Sequence, residues 1–153
     1  MYTIINVKNY SGGIEEATRY IHGKWGDKKN FEFYLDSIIH SSTDKKGLPK
    51  FFLMLEDKKI IGCYGLITND FIRRHDLMPW FCCLFVEEHK RGQRLGEKML
   101  IHAVEEMKNS GYSNLYLTTE HDGLYEKFGW QRIEDGYSFF GNKAKIYKMS
   151  LTD

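Results

Sequence analysis

Apolar residues recur along this chain with two different periods, and the switches between them mark out its elements. Residues 2–7 are apolar and β-branched, which predicts a short strand, and Ser11-Gly12-Gly13 breaks it. From about Ile14 the period lengthens. Ile14, Ala17 and Ile21 share one face of a predicted helix, with Glu15 and Glu16 in its first turn and Gly23 and Gly26 ending it. A second helix is expected with Asn30 as N-cap and Phe31, Tyr34, Leu35, Ile38 and Ile39 as its buried stripe. Residues 41–49 are polar and loop-like. Residues 51–55 and 60–67 then read as strands joined by the hairpin turn Glu56-Asp57-Lys58-Lys59.

A loop over residues 69–79 leads into the apolar run Trp80-Phe81-Cys82-Cys83-Leu84-Phe85-Val86, another predicted strand. Beyond it Leu95, Met99, Leu100, Ala103 and Met107 return to helical spacing, and Asn109-Ser110-Gly111 supplies a stop. The next strand covers residues 115–119, about 30 residues after its predecessor, a separation that suits a βαβ crossover and parallel pairing. A short helix over residues 123–128 and a Gly129-Trp130 corner precede two closing strands, near residues 131–133 and 145–151. Alternating elements of both kinds predict a mixed α/β domain, residues 1–153, with helices over both faces of one sheet. No repeat or linker divides it.

Composition narrows the chemistry. At 42% hydrophobic and 15% aromatic, the chain has material for one sizeable core. Its 22 basic and 21 acidic residues leave a formal charge of +1, which argues against a nucleic-acid partner. No run approaches the roughly 20 apolar residues that span a bilayer, and the early acids and polar residues do not resemble a secretory leader. Cys63, Cys82 and Cys83 form no CxxC pair, and Cys82 and Cys83, adjacent in a strand, should face opposite sides of it. Reduced core thiols in a cytoplasmic protein are the expectation. No Cys/His spacing suggests a metal site.

Candidate chemistry concentrates at Arg91-Gly92-Gln93-Arg94-Leu95-Gly96. A glycine-containing turn between a strand and a helix directs several unpaired backbone N–H groups one way, and the helix dipole adds positive potential. Lys90, Arg91 and Arg94 contribute charge. The segment reads either as an anion site or as a solvated basic turn. It lacks the GK[ST] ending of a P-loop.

Three segments resemble the GNAT (Gcn5-related) N-acetyltransferase superfamily, in its order of elements. Leu84-Phe85-Val86 followed by Arg91-Gly92-Gln93-Arg94-Leu95-Gly96 is similar to the acetyl-CoA signature R/Q-x-x-G-x-G/A in its strand-to-helix setting. Leu124-Tyr125-Glu126-Lys127-Phe128-Gly129-Trp130 resembles the family's "FYEKLGF" segment. The third is the closing aromatic loop and strand, residues 137–149. The resemblance spans essentially the whole chain. It implies a single mixed, mostly antiparallel sheet with a central parallel βαβ unit and helices on both faces. One departure stands out: the signature's middle glycine is Arg94, which fits without strain if the backbone there is already helical and needs no positive φ.

The resemblance also implies an acetyl-CoA-dependent N-acetyltransferase, with a non-catalytic acyl-CoA-binding module as the alternative. The diphosphate would meet the backbone N–H groups of Gly92, Gln93, Arg94, Leu95 and Gly96, and the pantetheine arm would pair with Leu84, Phe85 and Val86. A bulge near Cys82 or Cys83 would open room for that arm. Tyr125 is implied as the acid for the departing thiolate, a phenol near pKa 10 against a thiol near 8.5; the alternative is a packing tyrosine. Glu87 is a candidate general base, beside Glu120, His121, Asp122, His75 and Asp76; the resemblance equally implies a water chain with no dedicated base. The acceptor is a primary amine of a small molecule or peptide. Its side of the site would comprise the two N-terminal helices, the loop around Trp25 and the aromatic loop Tyr137-Ser138-Phe139-Phe140, which otherwise completes the core. A homodimer through the C-terminal strands is a further expectation.

Overall fold

The computed structural model describes residues 1–152; Asp153, last residue of the expected domain, lies outside them. Seven strands form one sheet in the order β1-β2-β3-β4-β5-β7-β6. They are β1 (Tyr2–Asn6), β2 (Lys50–Glu56), β3 (Lys59–Ile67), β4 (Trp80–Val86), β5 (Asn114–Thr119), β6 (Gln131–Tyr137) and β7 (Lys143–Ser150). Three helices accompany them: α1 (Ile14–Trp25), α2 (Phe31–Ile39) and α3 (Leu95–Asn109). All neighbouring strands run antiparallel except β4 and β5, which α3 joins as the expected crossover.

Helices cover both faces. Leu95, Met99, Leu100, Ala103 and Met107 of α3 pack on Phe52, Met54, Tyr64 and Leu66. On the other face Ala17 and Ile21 of α1 and Ile38 of α2 pack on Phe51, Leu53, Leu55 and Cys63. Alternate residues of β2 therefore enter opposite cores, which is why that strand reads as an unbroken apolar run. Each large apolar side chain buried this way contributes roughly 1.5–3 kcal/mol.

Three local expectations are corrected. Asn30 precedes α2, but its Oδ1 accepts from the Asp27 N–H at 2.7 Å, so it fastens the preceding loop and caps nothing in α2. The short helix before Gly129 is a single 3₁₀ turn, Tyr125–Phe128, closed by Gly129 at φ 89°. Cys82 and Cys83 do not simply alternate: Tyr64 stands opposite both Cys83 and Leu84 in the ladder, and Cys83 adopts φ 56°. That bulge bends β4 where the sequence anticipated one. All three cysteines are free thiols.

The β4–β5 pairing is confined to the start of both strands. Trp80 pairs with Tyr116, and the Tyr116 N–H donates to the Pro79 carbonyl at 3.1 Å. Past that point no ladder pair joins the two strands among the described residues. Among the described residues no helix is long and apolar enough to cross a membrane.

Candidate active site

A groove of about 430 Å³ lies along the C-terminal half of β4. Leu84, Phe85 and Val86 form its strand side; Arg91, Gly92, Arg94, Leu95 and Gly96 form its loop side, and Trp25 leans in from the end of α1. Eight of the nine residues expected to hold the donor thus meet around one cavity. Gln93 is turned elsewhere, its Oε1 accepting from the Tyr2 hydroxyl at 2.6 Å.

The loop keeps its backbone free for an anion. The Lys98 N–H reaches the Arg94 carbonyl at 3.1 Å, so the amides before it belong to the unpaired first turn of α3. Gly92 sits at φ 86°, a conformation glycine enters without steric cost. Arg94 does not follow the expectation set for it. It lies in the left-handed region at φ 60° and ψ 30°, so the position that the family fills with glycine retains a glycine-like backbone here. An L-residue there costs on the order of 1–2 kcal/mol. A Cβ on Gly96 would meet only Leu84 Cδ2 at 3.9 Å, which leaves its amide approachable from the groove.

The basic residues divide. The Arg91 Nε donates to the Val86 carbonyl at 3.0 Å and its guanidinium lies 5.4 Å from the centre of the Phe85 ring, bracing loop against strand. The Arg94 side chain is 85% exposed and only loosely paired with Glu97 at 4.0 Å. Lys90 is held by Glu56 at 2.5 Å, on the β2–β3 side, so it is not a free charge at the loop.

Glu87, immediately after β4, faces α1. It accepts a short hydrogen bond from the Tyr20 hydroxyl and pairs with Lys24 Nζ at 3.1 Å. These contacts hold its carboxyl below the usual range, and stabilising the anion makes it a weak proton acceptor. It borders a separate polar depression with Arg19, Lys58 and Lys59. Tyr125 follows β5. Its ring packs against Trp130 and Tyr147, with centroids 6.3 and 5.8 Å away, and burial raises its pKa. Among the described residues its hydroxyl has no hydrogen-bond partner, and Tyr125 does not line the groove.

The other base candidates lie outside. Asp76 is engaged by Arg74 at 2.9 Å and His75 is exposed. Glu120, His121 and Asp122 are exposed, and Asp122 pairs with Arg132 at 3.7 Å without capping the following turn.

A second cavity, about 390 Å³, opens on the α1/α2 side of the bulge. Trp25, Phe33, Tyr34, Asp70 and Phe71 border it, with Cys82 and Cys83 at the sheet. The sequence had assigned Trp25 and the N-terminal helices to this side, but it left Asp70 and Phe71 in an undistinguished loop. Nothing in an Asp-Phe pair after a strand marks it; only the packing does. The aromatic loop does not complete the core: Phe139 and Phe140 are 78% and 81% exposed.

Among the described residues no cluster of three His, Cys, Asp or Glu is placed to hold a metal. Residues 48–132 match the family model described as acetyltransferase (GNAT) domain. N-alpha-acetyltransferase 30 of Schizosaccharomyces pombe is 27% identical over 109 residues, 67% of this chain and 72% of that protein. A GNAT family acetyltransferase from Elizabethkingia anophelis, solved with acetyl-CoA bound, superposes with a TM-score of 0.67 at 20% identity, covering 97% of both chains. The ribosomal-protein-S18-alanine N-acetyltransferase of Escherichia coli superposes at 0.68 and 15% identity, covering 100% of this chain and 96% of that one.

Proposed function

The chain belongs to the GNAT acetyltransferase family, and on that premise we propose that it moves an acetyl group from acetyl-CoA to a primary amine of a small molecule or peptide, by direct attack in a ternary complex. The observation that carries this reading is the groove between β4 and the first turn of α3, which joins an anion-binding loop to an unpaired strand edge.

Acetyl-CoA supplies an activated acyl carbon on a thioester. The amides of Gly92 to Gly96 hold its diphosphate, helped by the exposed Arg94 guanidinium. The free edge of Leu84, Phe85 and Val86 receives the pantetheine amides and points the thioester back toward the bulge at Cys83. Tyr125 gives its phenolic proton to the departing thiolate. Burial, which raises its pKa, keeps that proton in place until the thiolate forms. Glu87 in this scheme is an ionised anchor that seats α1 on the end of β4, and a Glu87→Gln variant should retain most turnover.

Isothermal titration with acetyl-CoA, CoA and ATP tests the donor site. Binding of both CoA forms without ATP is expected, and ATP binding without CoA sinks the reading. An amine panel with thiol-release detection tests transfer. Tight acetyl-CoA binding with no thiol release on any amine would instead favour the acyl-CoA-binding module.

A further inference from the structure

The second cavity adjoins the first. Trp25 borders both, and consecutive residues divide them, Cys83 on one side and Leu84 on the other. An acyl group carried back along β4 from Val86 to Leu84 therefore arrives at the mouth of this cavity. Resting on the acetyltransfer reading above, we propose that this cavity is the acceptor subsite for a primary ammonium borne on a small apolar or aromatic group, and that Asp70 is the catalytic residue that binds the ammonium and takes its proton.

Four observations support this. Among the described residues Asp70 is the only carboxylate lining the cavity, and no Lys, Arg or His lines it. Among the described residues its carboxylate has no hydrogen-bond or ion-pair partner, whereas Glu87, Asp76 and Asp122 each have one. Trp25, Phe33, Tyr34 and Phe71 are among its walls, and aromatic faces attract a cation. The loop is also held for the purpose. Asn69 brackets it by donating to the Ile72 carbonyl at 2.9 Å and accepting from the Ile72 N–H at 3.2 Å. Between those anchors Phe71 adopts φ 54°, a conformation costing a bulky residue about 1–3 kcal/mol, and such strain clusters at functional sites. The Phe139 N–H donates to the Phe71 carbonyl at 2.7 Å, fixing the loop from the other side. The titratable groups facing Asp70 are Tyr34 from α2 and Cys82 and Cys83 from β4, none of them cationic. Burial pushes the Asp70 carboxyl up to about 7, the range of a working base at neutral pH.

The proton account closes. Asp70 takes one proton from the ammonium, and the freed nitrogen bonds to the thioester carbonyl carbon. Collapse breaks the C–S bond, and the thiolate takes the Tyr125 proton. The nitrogen's second proton replaces the one Tyr125 gave, while Asp70 returns its own to water. Amide, free thiol and one proton are the products.

The test uses phenethylamine and, as an uncharged match, phenethyl alcohol, with a tetrapeptide bearing a free Met N-terminus as the arm that separates peptide from free-amine acceptors. Direct binding is measured on wild type and Asp70→Asn, with acetyl-CoA affinity of the same samples as the check on folding and on the donor site. Asp70→Asn should weaken binding of phenethylamine or the peptide about 10–100-fold, the worth of a charge-assisted pair, and change the alcohol less than twofold. Where the amine is turned over, the fall in kcat/KM below about pH 7 should vanish in Asp70→Asn. Equal loss for amine and alcohol, or no loss for either amine, overturns the assignment. Absent acetyl-CoA binding overturns the donor site instead, and the binding comparison still reads Asp70.

Discussion

Single side chains carry the chemistry, and two of them can be tested without disturbing the fold. Tyr125→Phe keeps the ring against Trp130 and Tyr147 and removes only a hydroxyl with no partner among the described residues. Acetyl-CoA affinity should change little while single-turnover rates fall roughly 10²–10⁴-fold, the worth of a positioned acid. Wild-type rates in the variant would make Tyr125 a packing residue. Asp70 makes a prediction about stability as well. Its folded pKa, about 7, lies above the unfolded value, which is near 4. The folded protein thus binds the proton more readily than the unfolded chain through that window, so stability falls as pH rises from about 4 to 7 and stays lower above. Asp70→Asn should melt higher than wild type at about pH 8, with the gap closing toward pH 4 in thermal scans. No gap would mean that water reaches the carboxylate freely. Tyr125 is a candidate that its motif singles out; nothing local singles out Asp70, because its burial comes from α2 and β4, remote in sequence.

At the scale of elements, the start of α3 and the bulge of β4 act together. The first exposes amides; the second breaks the regular β3–β4 register beside them. Gly96 stands where both meet, with open space beside it save Leu84 at 3.9 Å. Gly96→Glu would place a bulky anion in the diphosphate's path. CoA affinity should drop by at least roughly tenfold, while the melting temperature without ligand moves only a few degrees. If melting temperature falls steeply and the folded fraction binds CoA normally, Gly96 serves packing alone. The glycine-turn pattern was visible in the sequence, yet the backbone of Arg94 was not. Side-chain identity favoured a helical φ, whereas Arg94 adopts φ 60° at the junction of loop and helix.

For the whole molecule the open matter is the sheet's far edge. β6 is bulged between Arg132 and Glu134, and its Arg132, Glu134 and Asp135 are paired with Asp122, Arg74 and Lys143. Charges and a bulge discourage edge-to-edge strand addition. Self-association is therefore expected to be weak and to run through the exposed Phe139 and Phe140 at the β6–β7 tip. Sedimentation velocity should show a minor dimer only at high micromolar concentration, lost in Phe139→Ser/Phe140→Ser. A monomer at every concentration removes the dimer.

The sequence by itself determined the order of elements, the crossover and the glycine-containing turn before α3, because these follow from local periodicity and from turn residues within a few positions of one another. Leu84 to Val86 and Arg91 to Gly96 are neighbours in the chain, and they line one cavity. What only the tertiary structure decided is where separate segments meet. Glu87 is tied to Tyr20 and Lys24 of α1, which hold its carboxyl ionised. Lys90 is drawn off by Glu56. Asp70 is placed among Trp25, Tyr34 and Cys82, contributed by three different elements. A side chain's proton affinity depends on desolvation and on the charges around it, and both are set by residues that the chain brings together only when it folds.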